Sequence, residues 1–365
     1  MIKNLVIVFF ILISTTGYSQ TFLKSDLSIG DKYSFNSNNL QGPIDLYIGL
    51  PKNYHQSSCN YPVHYVLDGQ IIFSYYYGVT DMLTKNEIPE CIVVGIQSVK
   101  RDYYFKPGNG ANEFTNFLTK ELIPFIDSAY RTNNLRLILG HSTTGAFIVN
   151  TLLNSPDSFD IYIAGAPYHS DLFLKSNIDS ALHDFKSRKH FYSFYGLDDN
   201  QNEKLNWDSL ATILKLTKVE NFEIVNEEYK DEGHHSIIYR YIPDGLKTAF
   251  KDWGYSPAHG EKFSYSDFID FSNTQQVRYS VIFDYSEGYF IGNSMSLVRQ
   301  GDSETAIKLI TYGLNKYSKS DVLHSIIATE YEKSGQNTLA IEHYKKILEI
   351  KPDLDFIKKK LEDLE

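Results

Sequence analysis

The chain has 365 residues, of which 42% are apolar and 22% charged, so it can bury a sizeable core and is neither a disordered nor a coiled-coil sequence. At about 100–200 residues per domain, this length predicts about two domains. Thirty-five basic against 45 acidic residues give a formal charge of −10. A surface of that sign repels phosphate backbones and disfavours nucleic acid as a partner.

The first residues have the pattern of an export signal. Residues 1–4 form a short, weakly positive start, residues 5–13 are an unbroken apolar run, and Gly17 and Ser19 are small residues where a signal peptidase reads. We expect cleavage before Gln20 and a periplasmic or secreted mature protein. A membrane anchor is the alternative, but this run is shorter than the about 20 residues that cross a bilayer, and no other stretch predicts a span.

Cys59 and Cys91 are the only cysteines, and each stands just before a strand-like run. Export would permit a disulfide between them, and two unpaired thiols are an equal alternative. Neither cysteine has a second ligand at close spacing, so the sequence predicts no metal site.

From about residue 45 to 250, short β-branched runs alternate with helical patterns. The strand-like runs are residues 44–50, 63–67, 92–96, 135–139, 161–164, 190–195 and 222–226. The helical patterns are residues 114–129, 144–153, 203–216 and 239–250. This alternation predicts an α/β fold with a mostly parallel sheet that is covered on both faces. Ligands of such sheets bind at the carboxyl ends of the strands.

The pattern changes after Trp253. Residues 254–286 are polar and aromatic without a clear period, and from residue 287 onward the pattern is helical. A glycine, an alanine and an isoleucine recur 34 residues later, Gly301, Ala306 and Ile307 being followed by Gly335, Ala340 and Ile341. Thirty-four residues is the period of the tetratricopeptide repeat, which the second copy resembles closely and the first copy in degraded form.

This region predicts a small all-α module with a capping helix at residues 353–364. Two repeats are too few to be stable alone, because each buries its apolar face only against a neighbour. We expect the repeats to pack on the first domain or to pair between subunits, and a protein partner is a further possibility.

The strongest local motif is Gly140-His141-Ser142-Thr143-Thr144-Gly145, which lies between a strand-like run and an apolar helix. A strand, a tight turn with serine at its apex and a helix form a nucleophile elbow, in which small flanking residues let strand and helix nearly touch. Thr144 departs from this pattern, because the second glycine stands one place later. Overpacking there would cost about 1–3 kcal/mol. A helix-capping serine explains the same residues without chemistry.

An acidic loop and a histidine loop follow in the chain order that hydrolases of this architecture use. The run 190–195 ends at Gly196-Leu197-Asp198-Asp199, and the run 222–226 precedes Gly233-His234-His235. In such a triad, histidine takes the proton of serine, and the carboxylate fixes the tautomer of histidine. The alternatives are a solvated loop or a half-built metal site for the histidines, and charges at a helix N-terminus for the acids.

Six segments come in the order seen in one known family: Tyr61-Pro-Val-His-Tyr-Val-Leu-Asp-Gly69, Val93-Val-Gly-Ile96 with Arg101, Phe117-Leu-Thr-Lys-Glu-Leu-Ile-Pro124, Tyr130-Arg-Thr132, Gly140-His-Ser142 and Ser155-Pro-Asp-Ser-Phe159. They resemble the putative esterase family, which is similar to esterase D and includes ferric enterobactin, feruloyl and acetylxylan esterases, S-formylglutathione hydrolases and mycolyltransferases. The resemblance covers about residues 30–250 and implies an α/β-hydrolase fold.

The resemblance also implies the catalytic residues. The nucleophile of the family falls on Ser142. Its acid falls on Asp199, with Asp198 and Glu203 as fallbacks, and its histidine falls on His234 in preference to the neighbouring His235.

The resemblance further implies an oxyanion hole built from the backbone N–H of Thr143 and that of Gln70. Arg101 and His141 are expected to contact substrate. For Arg101, a surface position in a loop is an equal alternative.

The sequence therefore predicts four segments: a signal peptide at residues 1–19, an esterase domain at 20–255, a linker at 256–286 and the repeats at 287–365. The predicted activity is that of an exported serine esterase that cleaves a siderophore lactone or an acetyl or feruloyl ester through an acyl-enzyme, with no cofactor. The alternative is a catalytically weak or inactive hydrolase-fold scaffold that binds a partner through its repeats, which the departure at Thr144 favours.

Overall fold

The computed structural model describes residues 28–365 except 85–86, 169–184, 186–187, 217–218 and 259. The expected signal peptide lies outside the described residues. Within them, no helix is long and apolar enough to cross a membrane.

The core of the molecule is an eight-stranded sheet with the order β1-β2-β4-β3-β5-β6-β7-β8. Its strands are β1 Asp31–Ser37, β2 Gly42–Gly49, β3 Tyr61–Leu67, β4 Ile92–Ile96, β5 Thr132–His141, β6 Ile161–Gly165, β7 Lys189–Gly196 and β8 Phe222–Tyr229. Strand β2 runs antiparallel to β1 and β4, and all pairs from β4 to β8 are parallel. The predicted mostly parallel sheet is confirmed.

Burial explains which strands the sequence reveals. Every residue of β3, β4, β6 and β7 is buried, as expected of parallel strands covered on both faces. Strand β1 was not predicted, because it is an edge strand with mostly exposed residues and therefore has no continuous apolar run.

Helices cover both faces of the sheet. They are α1 Gly69–Leu83, α2 Arg101–Tyr104, α3 Asn109–Asn116, α4 Ile123–Ala129, α5 Thr143–Asn154, α6 Gln201–Leu216 and α7 Ile238–Ala249, with a π-helical segment at Phe117–Leu122 between α3 and α4. Helix α1 was not predicted. Its isoleucines and tyrosines favour strands, and its buried residues reveal the helical period only in the structure: Gly69, Ile72, Phe73, Tyr76 and Thr80.

The C-terminal region forms an all-α module. Its helices are α8 Tyr265–Tyr279, α9 Glu287–Arg299, α10 Ser303–Leu314, α11 Asp321–Lys333, α12 Asn337–Ile350 and α13 Asp355–Leu364. Helix α11 begins 34 residues after α9 (321 minus 287), and α12 begins 34 residues after α10 (337 minus 303). Helix α8 occupies much of the range 256–286 that was expected to be a linker.

The helical module contacts the amino ends of the sheet strands. The N–H of Ser58, just before β3, donates to the carbonyl of Lys316 at 2.9 Å. Tyr317 Oη donates to Glu90 Oε2, just before β4, at 3.3 Å. The module therefore packs on the first domain at the edge opposite to the carboxyl ends of the strands.

Both cysteines are buried free thiols. Burial raises the pKa of each thiol, so both remain protonated at neutral pH. The structure thus has two unpaired cysteines at the amino ends of the neighbouring strands β3 and β4.

Glu90 makes the contact with the helical module sensitive to pH. Burial raises the pKa of Glu90 to about 7, above the about 4.3 of an unfolded glutamate. Between these two pKa values Glu90 is protonated in the folded state and ionised in the unfolded state. The free energy of unfolding should therefore fall as pH rises from 5 to 8. Glu90→Gln, which is neutral throughout, should remove about 1–3 kcal/mol of that fall. Urea unfolding at four pH values measures it. Glu87→Gln at an exposed site is the control, and equal pH slopes for the wild type and Glu90→Gln would contradict the prediction.

Candidate active site

Ser142 lies in the sharp turn between β5 and α5, at the carboxyl edge of the sheet. Its backbone angles are φ 62° and ψ −122°, a strained conformation for a side chain other than glycine and the one expected at a nucleophile elbow. The N–H of Ser142 donates to the carbonyl of Gly165 at 2.9 Å, and its carbonyl accepts from the N–H of Ala146 at 2.9 Å. The turn is therefore held both to β6 and to its own helix.

Two glycines permit the close approach of backbone segments around Ser142. A Cβ on Gly140 would lie 2.5 Å from the carbonyl oxygen of Thr144, and one on Gly145 would lie 2.8 Å from that of Gly165. The glycine that stands one place later than usual thus lets α5 approach the end of β6.

Thr144 is fully buried in the first turn of α5. Its hydroxyl accepts the N–H of His141 at 2.8 Å, and it also lies 2.8 Å from Asp68 Oδ2 and 2.8 Å from the carbonyl of His141. The side chain that departs from the elbow pattern is therefore accommodated by one accepted and one donated hydrogen bond at its hydroxyl, and the carboxylate of Asp68 is the stronger of the two acceptors within reach.

His234 and Asp199 are joined across the loops that follow β8 and β7. His234 Nδ1 lies 2.6 Å from Asp199 Oδ2. The Asp199 side chain is only 4% exposed, and its Oδ1 accepts from Tyr168 Oη at 3.0 Å and from the N–H of Asn200 at 2.6 Å. With Nδ1–H donated to the carboxylate, Nε2 of His234 is left as the basic nitrogen.

Aromatic rings hold His234 beside the elbow. The ring of His141, which precedes Ser142, lies 4.8 Å from the ring of His234, and the ring of Tyr168 meets His234 edge-on at 4.5 Å. Burial, with the nearby His234 contributing, lowers the pKa of His141 to about 3. His141 is therefore neutral at physiological pH and adds no positive charge beside the basic nitrogen of His234.

The structure separates the residues that the sequence left as alternatives. Asp198 is exposed and Glu203 lies in the first turn of α6, whereas Asp199 holds His234. His235 is exposed, next to His234.

The two backbone N–H groups expected in the oxyanion hole both lie in first turns of helices. Gln70 is the second residue of α1 and Thr143 is the first residue of α5, where N–H groups have no acceptor within the helix. Helix α1 follows β3 and α5 follows β5, and these strands are parallel neighbours. Both donors therefore lie at the same edge of the sheet, and the side chain of Gln70 is fixed by the N–H of Ser98 at 3.0 Å.

The two side chains expected to contact substrate have contacts within the protein. Arg101 is ion-paired with Asp68, and its side chain is 38% exposed. His141 is 7% exposed and also stacks on Tyr241 at 5.9 Å.

Sequence reasoning did not single out Asp68 or Tyr168 as site residues. Asp68 directly follows β3, and Tyr168 comes three residues after the end of β6. Their positions at the carboxyl ends of strands were the available signal, since ligands of parallel sheets bind there. Within the described residues, no group of three or more His, Cys, Asp or Glu side chains could hold a metal ion.

The sheet order and the placement of elbow, acid loop and histidine loop define an α/β hydrolase. The family described as Putative esterase matches residues 37–224, more than half of the chain. The protein belongs to this putative esterase family.

Individual relatives agree with the family. The chain is 42% identical over 149 residues to ferri-bacillibactin esterase BesA of Bacillus subtilis (strain 168), across 38% of this chain and 52% of that protein. An IroE-like serine hydrolase from Shewanella oneidensis is 25% identical, with a TM-score of 0.68, over 78% of this chain and 98% of that one. The chain spans about half the length of BesA.

The likeness in fold extends through the helical module. An uncharacterised protein from Capnocytophaga ochracea matches 92% of this chain and 99% of its own length, with a TM-score of 0.60 and 19% identity. At that identity the likeness concerns the fold alone.

Gly140 should not tolerate a side chain. Gly140→Ala places a methyl group 2.5 Å from the carbonyl oxygen of Thr144 and should lower the free energy of unfolding by about 1–3 kcal/mol. Gly78→Ala in α1 is the matched control, because a Cβ there meets nothing within 4 Å. It should raise the free energy of unfolding by about 0.5–1 kcal/mol, as alanine is the better helix former. Urea titration followed by circular dichroism measures both, and a fully stable Gly140→Ala protein would refute the close contact.

Proposed function

We propose that the protein is a serine esterase that hydrolyses a carboxylic ester through an acyl-enzyme. The observation that carries this proposal is the 2.6 Å contact between His234 Nδ1 and the buried carboxylate of Asp199, together with the left-handed turn at Ser142. A nucleophile on a strained turn, an oriented imidazole and a buried carboxylate are the components of a serine hydrolase triad.

In the proposed reaction, Ser142 Oγ attacks the ester carbonyl carbon while Nε2 of His234 takes its proton. The N–H groups of Thr143 and Gln70 stabilise the negative oxygen of the tetrahedral intermediate. The bond to the leaving alcohol then breaks, and the alcohol takes the proton from His234. A water molecule repeats the sequence on the acyl-enzyme, releasing the acid and restoring Ser142.

Asp199 acts through His234. Its carboxylate holds the Nδ1–H tautomer and stabilises the imidazolium that forms during attack. Burial and the hydrogen bond to Asp199 raise the pKa of Tyr168 to about 12, so Tyr168 stays protonated and donates to Asp199 at 3.0 Å. The Asp199 carboxylate is thus fixed by donors on both oxygens.

The substrate we propose is a lactone ester of a ferric siderophore. This proposal is supported by the similarity to a protein named ferri-bacillibactin esterase and to an IroE-like serine hydrolase. Arg101, whose side chain is 38% exposed, would contact the negatively charged chelate, and His141 would contribute to the wall beside Ser142. Export through the N-terminal signal would place the enzyme where such chelates enter the cell.

The triad is tested by substitution. Ser142→Ala and His234→Ala should each lower kcat for p-nitrophenyl butyrate by about 10³-fold or more, and a fluorophosphonate should label the wild type but not Ser142→Ala. His235→Ala is the matched control, since the exposed neighbour is outside the proposed machinery, and it should stay within about twofold of the wild type. Turnover in the wild type no greater than in Ser142→Ala would show that the protein is not a serine esterase.

The substrate class is tested separately. We expect a higher kcat/KM on a ferric trilactone siderophore than on methyl ferulate or acetylated xylan, measured by chromatography of the released acids with Ser142→Ala as the blank. If the feruloyl or acetyl ester is the better substrate, the siderophore assignment is wrong while the esterase chemistry stands.

A further inference from the structure

Three consecutive junctions between strand and helix meet at the carboxylate of Asp68. The residues that precede α1, α2 and α5 all have left-handed φ angles: Asp68 at 57°, Lys100 at 45° and Ser142 at 62°. Asp68 Oδ1 pairs with Arg101, the first residue of α2, and Asp68 Oδ2 lies 2.8 Å from the hydroxyl of Thr144 in the first turn of α5. One side chain therefore joins the starts of three helices.

We infer that Thr144 is a positioning residue that, through Asp68, sets the separation of the two oxyanion donors, the N–H groups of Gln70 and Thr143. This inference rests on the proposed function. Gln70 stands two residues after Asp68, and Thr143 is adjacent to Thr144. The hydrogen bond from Thr144 to Asp68 thus connects the two backbone segments that carry the donors.

Asp68 is a fixed reference point for this connection. Its N–H is paired with Ser98 Oγ at 2.9 Å, and its carbonyl accepts from the N–H of Ile71 at 2.8 Å. A Cβ on Gly69 would lie 2.6 Å from the backbone of Gly95 in β4, so α1 cannot move closer to the sheet. The hydrogen bond from Thr144 therefore ties the start of α5 to a backbone segment that is fixed by its own contacts.

Burial gives this contact its strength. Thr144 is 0% exposed and Asp68 is 5% exposed, so water does not compete for the hydrogen bond, and Arg101 balances the carboxylate charge. Hydrogen bonds to a charged acceptor are about twice as strong as neutral ones. Oxyanion stabilisation depends on donors placed about 2.7–3.1 Å from the developing charge, so a shift of a few tenths of an ångström between α1 and α5 weakens it. The hydroxyl of Thr144, which also accepts from His141 N–H, restrains that shift.

The decisive variant is Thr144→Val, which keeps the shape and removes the hydroxyl. We expect kcat for p-nitrophenyl butyrate to fall about 10-fold or more while KM stays within threefold, because the lost interaction acts in the transition state. Affinity for a trifluoromethyl ketone, which forms the oxyanion, should fall in parallel. Thr144→Ser is the matched control and should retain most of kcat, since it restores the hydroxyl.

Asp68→Asn weakens the same hydrogen bond at its acceptor, and it provides a second test if Thr144→Val folds poorly. The double variant should be little worse than Asp68→Asn alone, because Asp68→Asn already removes the charged acceptor of the Thr144 hydrogen bond as well as the partner of Arg101. Amide hydrogen exchange gives a readout without turnover: a peptide containing His141 should exchange faster in Thr144→Val than in Thr144→Ser.

Three results would overturn the inference: kcat of a folded Thr144→Val within twofold of the wild type, a rise in KM with kcat unchanged, or an equal loss of kcat in Thr144→Ser. The comparison of wild type with Ser142→Ala identifies failure of the proposed function itself. If those two proteins turn over ester equally, serine chemistry is absent and the inference falls with it. If Ser142 is required but Thr144→Val is unaffected, only the positioning role is wrong.

Discussion

The close contact of β5 with α5 at Ser142 is the constraint on which the rest of the site depends. A serine at φ 62° is costly, and the turn persists because Gly140 and Gly145 let the backbone of α5 pass within van der Waals distance of β5 and β6. The same geometry leaves Ser142 half-buried at the edge of the sheet and presents the first N–H groups of α5 there. The strained backbone, the position of the proposed nucleophile and the proposed oxyanion donor thus come from one structural feature.

Around this turn, the protein controls where charge resides. The negatively charged carboxylate of Asp199 lies against Nδ1 of His234. The neighbouring His141 is held neutral by burial, with a pKa of about 3. The other buried carboxylate, Asp68, is balanced by Arg101. In the proposed mechanism, the imidazolium of His234 would therefore have the carboxylate of Asp199 as its partner and no positive charge on the ring of His141.

The sequence was most informative for strands that are buried along their whole length and for motifs that are compatible with few structures. The strands β3, β4 and β6 are continuous apolar runs, and the order of Ser142, Asp199 and His234 along the chain gave the candidate site. Edge strand β1 has mostly exposed residues, and α1 has strand-like composition, so local pattern predicted neither. The contact of Thr144 with Asp68 joins residues 76 positions apart, and no local pattern encodes such a pair. For that reason the departure at Thr144 looked like a defect in sequence and is a bonded position in structure.

The helical module contributes to the protein from the opposite edge. Its first helices share the main core with the hydrolase domain through residues such as Phe290, Leu309 and Tyr317, whereas Ala340, Tyr344, Ile347 and Ile357 form a separate small cluster closed by α13. Repeats bury their faces only against neighbours, so the module derives its stability from the sheet at one end and from α13 at the other. Helix α1 begins at Gly69, next to Asp68 beside the site, and its second half lines a cavity of about 510 Å³ against α9. Helix α1 thus spans the sheet from its carboxyl edge, where Gln70 lies, to its amino edge, where the helical module packs.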